Sequence, residues 1–219
     1  MKSVGTINCS KPTSDALLVA LKDSILDKTD VRPVYYQKTP TNISMSFTLY
    51  GILGVDEKAQ IFDSFIWVYL FWNIEGLNWD PVECGTDKIS LPRKKLWMPD
   101  VVINEFMDES KSPDAHYLYV DHTGWVMDDL PIHVISSCNM DIYTFPFDIQ
   151  NCTFTFSSYK LTAVHLQLFF VEPVEETLQN SLSVMKTIGE WELVDMHAEK
   201  PPILPEELNV TYDALIYHV

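Results

Sequence analysis

In residues 42–53, "NISMSFTLYGIL", the apolar side chains Ile43, Met45, Phe47 and Leu49 are interleaved with Ser44, Ser46 and Thr48. A period of two sends the two sets to opposite sides of an extended chain, so the segment reads as a strand with one buried face and one wet face. The same period returns in "VHLQLFF", where Val164, Leu166, Leu168 and Phe170 share a face, and in "CTFTFSSY", where Cys152, Phe154 and Phe156 do. Turn residues bound further candidate strands near 61–72, 101–107, 116–121, 124–127, 132–138, 190–196 and 210–219. About ten short strands imply an all-β, immunoglobulin-like β-sandwich with Greek-key-like crossings.

One segment breaks the pattern. "KPTSDALLVALKDSILDKTD" predicts an N-terminal α-helix at about 14–27, capped by Ser14 or Thr13, with Asp15 in its first turn and Leu17, Leu18, Leu21 and Ile25 on one side. No Gly/Ser linker, repeat or low-complexity tract divides the 219 residues, and 47% of them are hydrophobic, so a single domain over 1–219 is expected. The final "ALIYHV" ends inside a strand pattern, which reads as a cut from something longer. No apolar run reaches the roughly 18 residues of a membrane helix, and the opening "MKSVGTINCS" lacks the apolar core of a signal peptide.

The chain carries 31 acidic against 15 basic residues, a formal charge of −16, which disfavours nucleic acid as a partner and favours cations. Four N-x-[ST] sequons, at Asn8, Asn42, Asn151 and Asn209, point to the secretory route. Its four cysteines then sit in an oxidising compartment. No G-x-S-x-G, H-E-x-x-H, P-loop or C-x-x-C occurs and the six His are scattered, so neither enzyme chemistry nor a cofactor is expected.

Cys138 and Cys152 enclose thirteen residues that contain Phe145-Pro146-Phe147-Asp148. This spacing and content resemble the signature loop of the Cys-loop pentameric ligand-gated ion channels. Trp97-Met98-Pro99-Asp100 resembles the family's W-x-P-D turn, "INEF" at 103–106 its first ligand-binding segment, and "GEWEL" at 189–193 the strand leading to its last one. From about residue 32 onward the chain is similar to the extracellular domain of the type-3 serotonin receptor group. The resemblance implies a Cys138–Cys152 disulfide; closing such a loop constrains the unfolded chain by roughly 3 kcal/mol and yields a stiff finger that passes a binding signal to the pore. Its Phe145–Pro146 bond is a candidate for the cis form. The leftover Cys9 and Cys84 either pair, tying the N-terminal segment to the loop after Trp79, or remain free thiols.

In the resembled family a small cationic amine lies between subunits in a box of aromatic rings, held by cation–π attraction. The resemblance assigns Asn104, Glu105, Tyr159 and the stretch from Ile203 to Tyr212 to a principal face, and Trp67, Tyr69, Tyr117 and Tyr119 to a complementary face. This chain departs from the serotonin receptors: Tyr159 stands for a Trp, Ile203 for a Phe, Tyr69 for an Arg, and a complementary Tyr is replaced near Asp128 and Asp129. No adjacent Cys pair marks the third segment as of acetylcholine-receptor α type. Trp72, Trp79, Trp97, Trp125 and Trp191 read as packing residues. Asp195, His197 and Glu199 alternate along a predicted strand and form a candidate face for a divalent cation, beside the plainer reading of a solvated strand.

These features imply the ligand-binding domain of a homo- or hetero-pentameric channel of serotonin type-3 kind. Its expected place is the extracellular side of the plasma membrane, at a postsynaptic site, anchored by a transmembrane part missing here. A secreted ligand-binding pentamer, and a non-binding accessory subunit or zinc-responsive relative, are the alternatives. The acidic balance leans toward cation selectivity.

Overall fold

A computed structural model describes residues 6–26, 28–108, 117–141, 143, 147–185, 190–203 and 211–219. Its strands are β1 (Thr41–Asp56), β2 (Ile61–Asn73), β3 (Lys88–Pro92), β4 (Val101–Ile103), β5 (Tyr117–Asp121), β6 (Trp125–Ser137), β7 (Thr153–Ser158), β8 (Leu166–Phe170), β9 (His197–Glu199) and β10 (Ala214–His218). Among the described residues they form a six-stranded sheet in the order β3-β5-β6-β2-β1-β8 and a four-stranded sheet in the order β4-β7-β10-β9. Helices α1 (Ser14–Ser24), α2 (Pro81–Cys84) and α3 (Val174–Val184) lie outside the sheets. The sandwich of about ten strands with an N-terminal helix is therefore the architecture of this chain.

Alternation explains the core. Ile43, Met45, Phe47 and Leu49 of β1 are wholly buried, as are Phe154 of β7 and Leu168 of β8. Phe47 meets Phe154 edge-on at 5.8 Å and Tyr217 at 4.8 Å, so the two sheets are joined through offset aromatic contacts. Strands β2 and β6 pair without interruption from Ile61↔Ser137 to Asn73↔Trp125. The expected break between 124–127 and 132–138 is absent: Pro131 lies inside one long strand. The registered pairing of this strand with β5 is at Tyr119↔Met127 and Val120↔Val126.

Elsewhere the structure corrects the sequence. Thr13 is the N-cap of α1, accepting from Ala16 N, and the helix stops at Ser24, because the N–H groups of Ile25 and Leu26 both turn back to the Leu21 carbonyl. Asp27 falls outside the described residues. Leu17 and Leu21 are buried at i,i+4 spacing, but Leu18 is 41% exposed, one ridge away from the contact. Strand β4 ends at Ile103, Val164 lies before β8 rather than in it, and no strand forms over the described part of 190–196; the short β9 follows instead. Strand β3 and helix α3 were not expected. Helix α3 buries Thr177 and Ser181, and the Ser181 hydroxyl accepts from Leu49 N of β1 at 3.0 Å while donating to Thr177 O. This helix explains why Ser46 and Thr48, on the expected wet face of β1, are buried.

Both disulfides are formed, Cys9–Cys84 and Cys138–Cys152. The first holds the N-terminal segment where Ile7 bridges Trp79 in parallel. The loop tip Phe145-Pro146 lies outside the described residues; Phe147 and Ile149 beside it are 88% and 82% exposed.

Candidate functional site

The expected principal-face residues gather around the end of β7. Asp100 of the W-x-P-D turn anchors them: its Oδ1 accepts from Ser158 Oγ at 2.6 Å, its Oδ2 from Lys160 N at 2.8 Å, and its carbonyl from Tyr159 N at 3.0 Å. Trp97 of the same turn packs edge-on against buried Trp72 at 6.4 Å. Asn104 Oδ1 accepts from Ser157 Oγ at 2.7 Å, and Glu105 Oε2 accepts from Thr155 N at 2.7 Å. Glu105 is thus bound to the backbone of β7, which fixes the turn after β4 beside Thr155, while the Asp100 end of the segment lies beside Tyr159. Across β7 and β10 the register runs from His218↔Thr153 to Ala214↔Ser157, beyond which Thr211 O accepts from Ala163 N at 2.9 Å; Tyr212 and Tyr159 lie just past the two strand ends. These rings are 46% and 66% exposed, and Ile203 is 42% exposed. Residues 204–210, with the Asn209 sequon, are outside the described set.

Asp213 locks this corner. Its buried Oδ2 accepts from Leu168 N at 2.7 Å and pairs with Lys200 Nζ at 2.9 Å, so one carboxylate ties β10 to β8 and to the end of β9.

The complementary set lies on the outer face of the six-stranded sheet. Directly opposed residues of antiparallel strands share a face, and the pairs Trp67↔Pro131, Tyr69↔Asp129 and Tyr119↔Met127 place Trp67, Tyr69, Asp129, Met127 and Tyr119 on that side. Tyr117, two residues earlier on β5, shares the face of Tyr119 and is 64% exposed. Trp67 packs on Tyr50, ring centroids 5.6 Å apart. Burial pushes the Tyr69 phenol up from its ordinary value, a hydrogen bond with Thr48 opposes this, and Tyr50, Asp129 and Glu172 add to it, so Tyr69 is a neutral donor at physiological pH.

Sequence reasoning named neither Glu172 nor Asn180, yet both line a cavity of about 380 Å³ with Thr48, Tyr50 and Tyr69, between α3 and β1–β2. Glu172 Oε1 accepts from Thr177 Oγ1 at 3.1 Å at the head of α3. The signal available was the run Glu172-Pro173-Val174-Glu175-Glu176, an acidic helix start. Of the two acids near the replaced Tyr, Asp129 faces outward and Asp128 points into the sandwich, where it is 3% exposed.

Two of the expected site rings already carry a cation. Lys88 Nζ lies 4.2 Å from the centroid of Tyr119, and Lys160 Nζ lies 5.1 Å from that of Tyr159. The candidate metal face does not converge: Asp195 Oδ2 contacts His197 Nε2 at 3.2 Å, whereas Glu199 turns to His218 Nε2 at 3.8 Å. Among the described residues no group of three His, Cys, Asp or Glu could hold a metal ion. Asn8, Asn42 and Asn151 are exposed.

Asn104 and Glu105 follow β4, Tyr159 follows β7, Ile203 follows β9 and Tyr212 precedes β10, all strands of the four-stranded sheet, whereas the expected complementary residues lie on the outer face of the six-stranded sheet. Residues 17–218 match the family described as "Neurotransmitter-gated ion-channel ligand binding domain". The chain is 38% identical over 190 residues to the 5-hydroxytryptamine receptor 3A of Mus musculus, covering 85% of this chain and 39% of that protein. It is 36% identical over 215 residues to the human 5-hydroxytryptamine receptor 3E, covering 98% and 47%. With the human neuronal acetylcholine receptor subunit alpha-9 it shares 31% identity over 171 residues, covering 73% and 36%. These relatives are receptors, not enzymes, and the chain spans less than half of their length.

Proposed function

Because this chain belongs to the family of neurotransmitter-gated ion-channel ligand-binding domains, we propose that it is the extracellular part of a pentameric, cation-selective channel of serotonin type-3 kind, opened by a small amine bound between subunits. The observation that supports this reading is that the two sets of ring residues lie on different sheets of one chain. A neighbouring copy or a related subunit would bring Tyr159 and Tyr212 against Trp67, Tyr69, Tyr117 and Tyr119. Asp129 and Glu172 would add negative potential beside the complementary rings, which favours a cation.

In this reading an amine binds more tightly to the closed than to the open form of the interface, and that difference biases a two-state switch. Asn104 and Glu105 hold the turn, Ile203 and Tyr212 flank the segment that closes, and the Cys138–Cys152 loop delivers the movement to the pore through Phe145, Pro146, Phe147 and Asp148. The exposure of Phe147 and Ile149 supports a docking role for that finger. Glycans at Asn8, Asn42, Asn151 and Asn209 would accompany a place on the outer side of the plasma membrane.

One observation favours a second reading, that of an accessory subunit. Lys160 sits over the Tyr159 ring, on a face that an amine would need. Calorimetric titration of serotonin into the chain, with its mass fixed by light scattering, separates the two. A pentamer with saturable heat, weakened about 5- to 30-fold in Trp67→Ala by loss of a desolvated cation–π contact, supports the agonist site. A pentamer that takes up no amine refutes it and leaves the accessory role.

A further inference from the structure

Arg32 is a buried cation without a counter-charge. It is 7% exposed. Its Nη1 donates to Thr39 O at 2.9 Å, Thr41 Oγ1 at 3.1 Å and His165 O at 2.6 Å, and its Nη2 to Gln37 O at 2.5 Å. Every one of these acceptors is neutral. Arg93, by comparison, meets Asp128 Oδ2 at 2.8 Å, whereas among the described residues no carboxylate forms an ion pair with Arg32. Burial therefore pushes the Arg32 pKa down, and the charge of Glu75 offsets this only in part. A charge taken out of water normally has an opposite charge beside it. This one is hydrogen-bonded but not neutralised.

Arg32 also lines a cavity of about 180 Å³ between the end of α1 and the segment after β2, with apolar walls from Ile25, Val34, Ile74, Leu96 and Trp97. Arg93 Nε is sealed from water without a partner; Arg32 Nε likewise has no acceptor among the described residues but is not sealed, so it is open to a molecule in this space. The charged residues of the lining are Lys28, Arg32 and Glu75, two cations to one carboxylate, and Glu75 Oε2 already accepts from Tyr35 N at 2.5 Å. In a chain of formal charge −16 this cavity lacks one negative charge. An ammonium would meet two like charges here, and a dianion would overshoot. A carboxylate supplies the single charge and the strong acceptor that a guanidinium N–H favours. We propose that the cavity is a binding site for a small organic monocarboxylate, whose carboxylate accepts from Arg32 Nε–H and faces Lys28, and whose one apolar ring fills the space beside Ile74, Leu96 and Trp97. A space of this order holds a single six-membered ring. None of the rings expected to bind an amine lines it. Leu96 and Trp97 lead into the turn whose Asp100 anchors Tyr159, so the occupant rests against the support of that ring and not in its place.

The test is titration of the whole chain with benzoate and, in parallel, with benzyl alcohol, which has the ring and similar size but no charge, followed by calorimetry and ligand-observed NMR. The expected result is saturable 1:1 binding of benzoate, with benzyl alcohol weaker by about tenfold or more for want of a charge-assisted hydrogen bond. Arg32→Met should bring the two probes level. Lys28→Glu reverses an exposed charge at the cavity and should weaken benzoate about three- to tenfold while leaving benzyl alcohol unchanged. Val34→Trp fills the cavity and should abolish benzoate binding. These last two variants leave the Arg32 hydrogen bonds intact and decide the question if Arg32→Met does not fold. Absence of saturable benzoate binding, equal affinity for the two probes in the natural chain, unchanged benzoate binding in Lys28→Glu, or benzoate binding that survives Val34→Trp overturns the proposal.

Discussion

Replacing Cys9 and Cys84 together by Ala should destabilise the chain more than removing the bond the family is named for. The Cys9–Cys84 link spans 75 residues and the Cys138–Cys152 link 14. Cross-linking removes freedom from the unfolded chain in proportion to the logarithm of the loop, which gives roughly 4.5 kcal/mol for the longer loop and roughly 3 kcal/mol for the shorter. The two loops do not overlap in sequence, so the effects should add. Non-reducing urea unfolding followed by tryptophan fluorescence reads the difference. With a slope of about 2–3 kcal/mol per molar urea, Cys9→Ala/Cys84→Ala should lower the midpoint by about 1.5–2 M. A fall below about 0.5 M, or a larger fall for Cys138→Ala/Cys152→Ala, would refute the reasoning. It would mean that the packing of Ile7 against Trp79 holds the N-terminal segment without a covalent tie.

Asp213→Ala should cost about 1–3 kcal/mol in the same assay, because the buried Leu168 N loses its acceptor, while Lys200 loses its counter-charge but keeps Leu168 O and the Phe169 ring; Asp213→Asn, which keeps an acceptor, should recover part of it. Ser181→Ala should cost about 1–3 kcal/mol by leaving the buried Leu49 N–H unpaired, whereas Ser183→Ala on the exposed side of α3 should change stability little. Burial holds the Asp128 carboxyl above its ordinary range, with Arg93 offsetting this only in part. The folded chain thus keeps that proton more tightly than the unfolded one, so this contribution is complete below the unfolded pKa and falls as pH rises through the folded one. The stability advantage of the natural chain over Asp128→Asn should therefore shrink from pH 4 toward pH 7, and an advantage that grows would contradict the burial argument.

What the sequence revealed depended on which faces were apolar. Strict alternation in β1, β7 and β8 made those strands legible, since each buries its large residues on one side. Helix α3 escaped because the residues it buries, Thr177 and Ser181, are polar and leave no hydrophobic stripe. Strand β3 is five residues long and ends in Pro92, and Pro131 made β6 look like two strands. Asn104, Tyr159 and Trp67 were suggested by the resemblance of their motifs to a family, not by periodicity. Glu172, the inward turn of Asp128 and its link to Arg93 depend on register between distant strands, which periodicity does not encode.

Strand β1 has neighbours of two kinds. It pairs with β2 across a short turn, but its other edge pairs in parallel with β8, and Thr41 meets Leu166, 125 residues later. At about 5–20 residues per second, a ribosome delivers that partner roughly 6–25 s after β1 itself has been made. Throughout that interval a strand rich in Ile, Met, Phe and Leu offers an unpaired edge, the template for sticking to another nascent chain. Biogenesis, more than finished stability, is then the stage at which this sandwich is vulnerable, and a chaperone that shields β1 until β8 emerges would govern how much of the protein reaches its folded form.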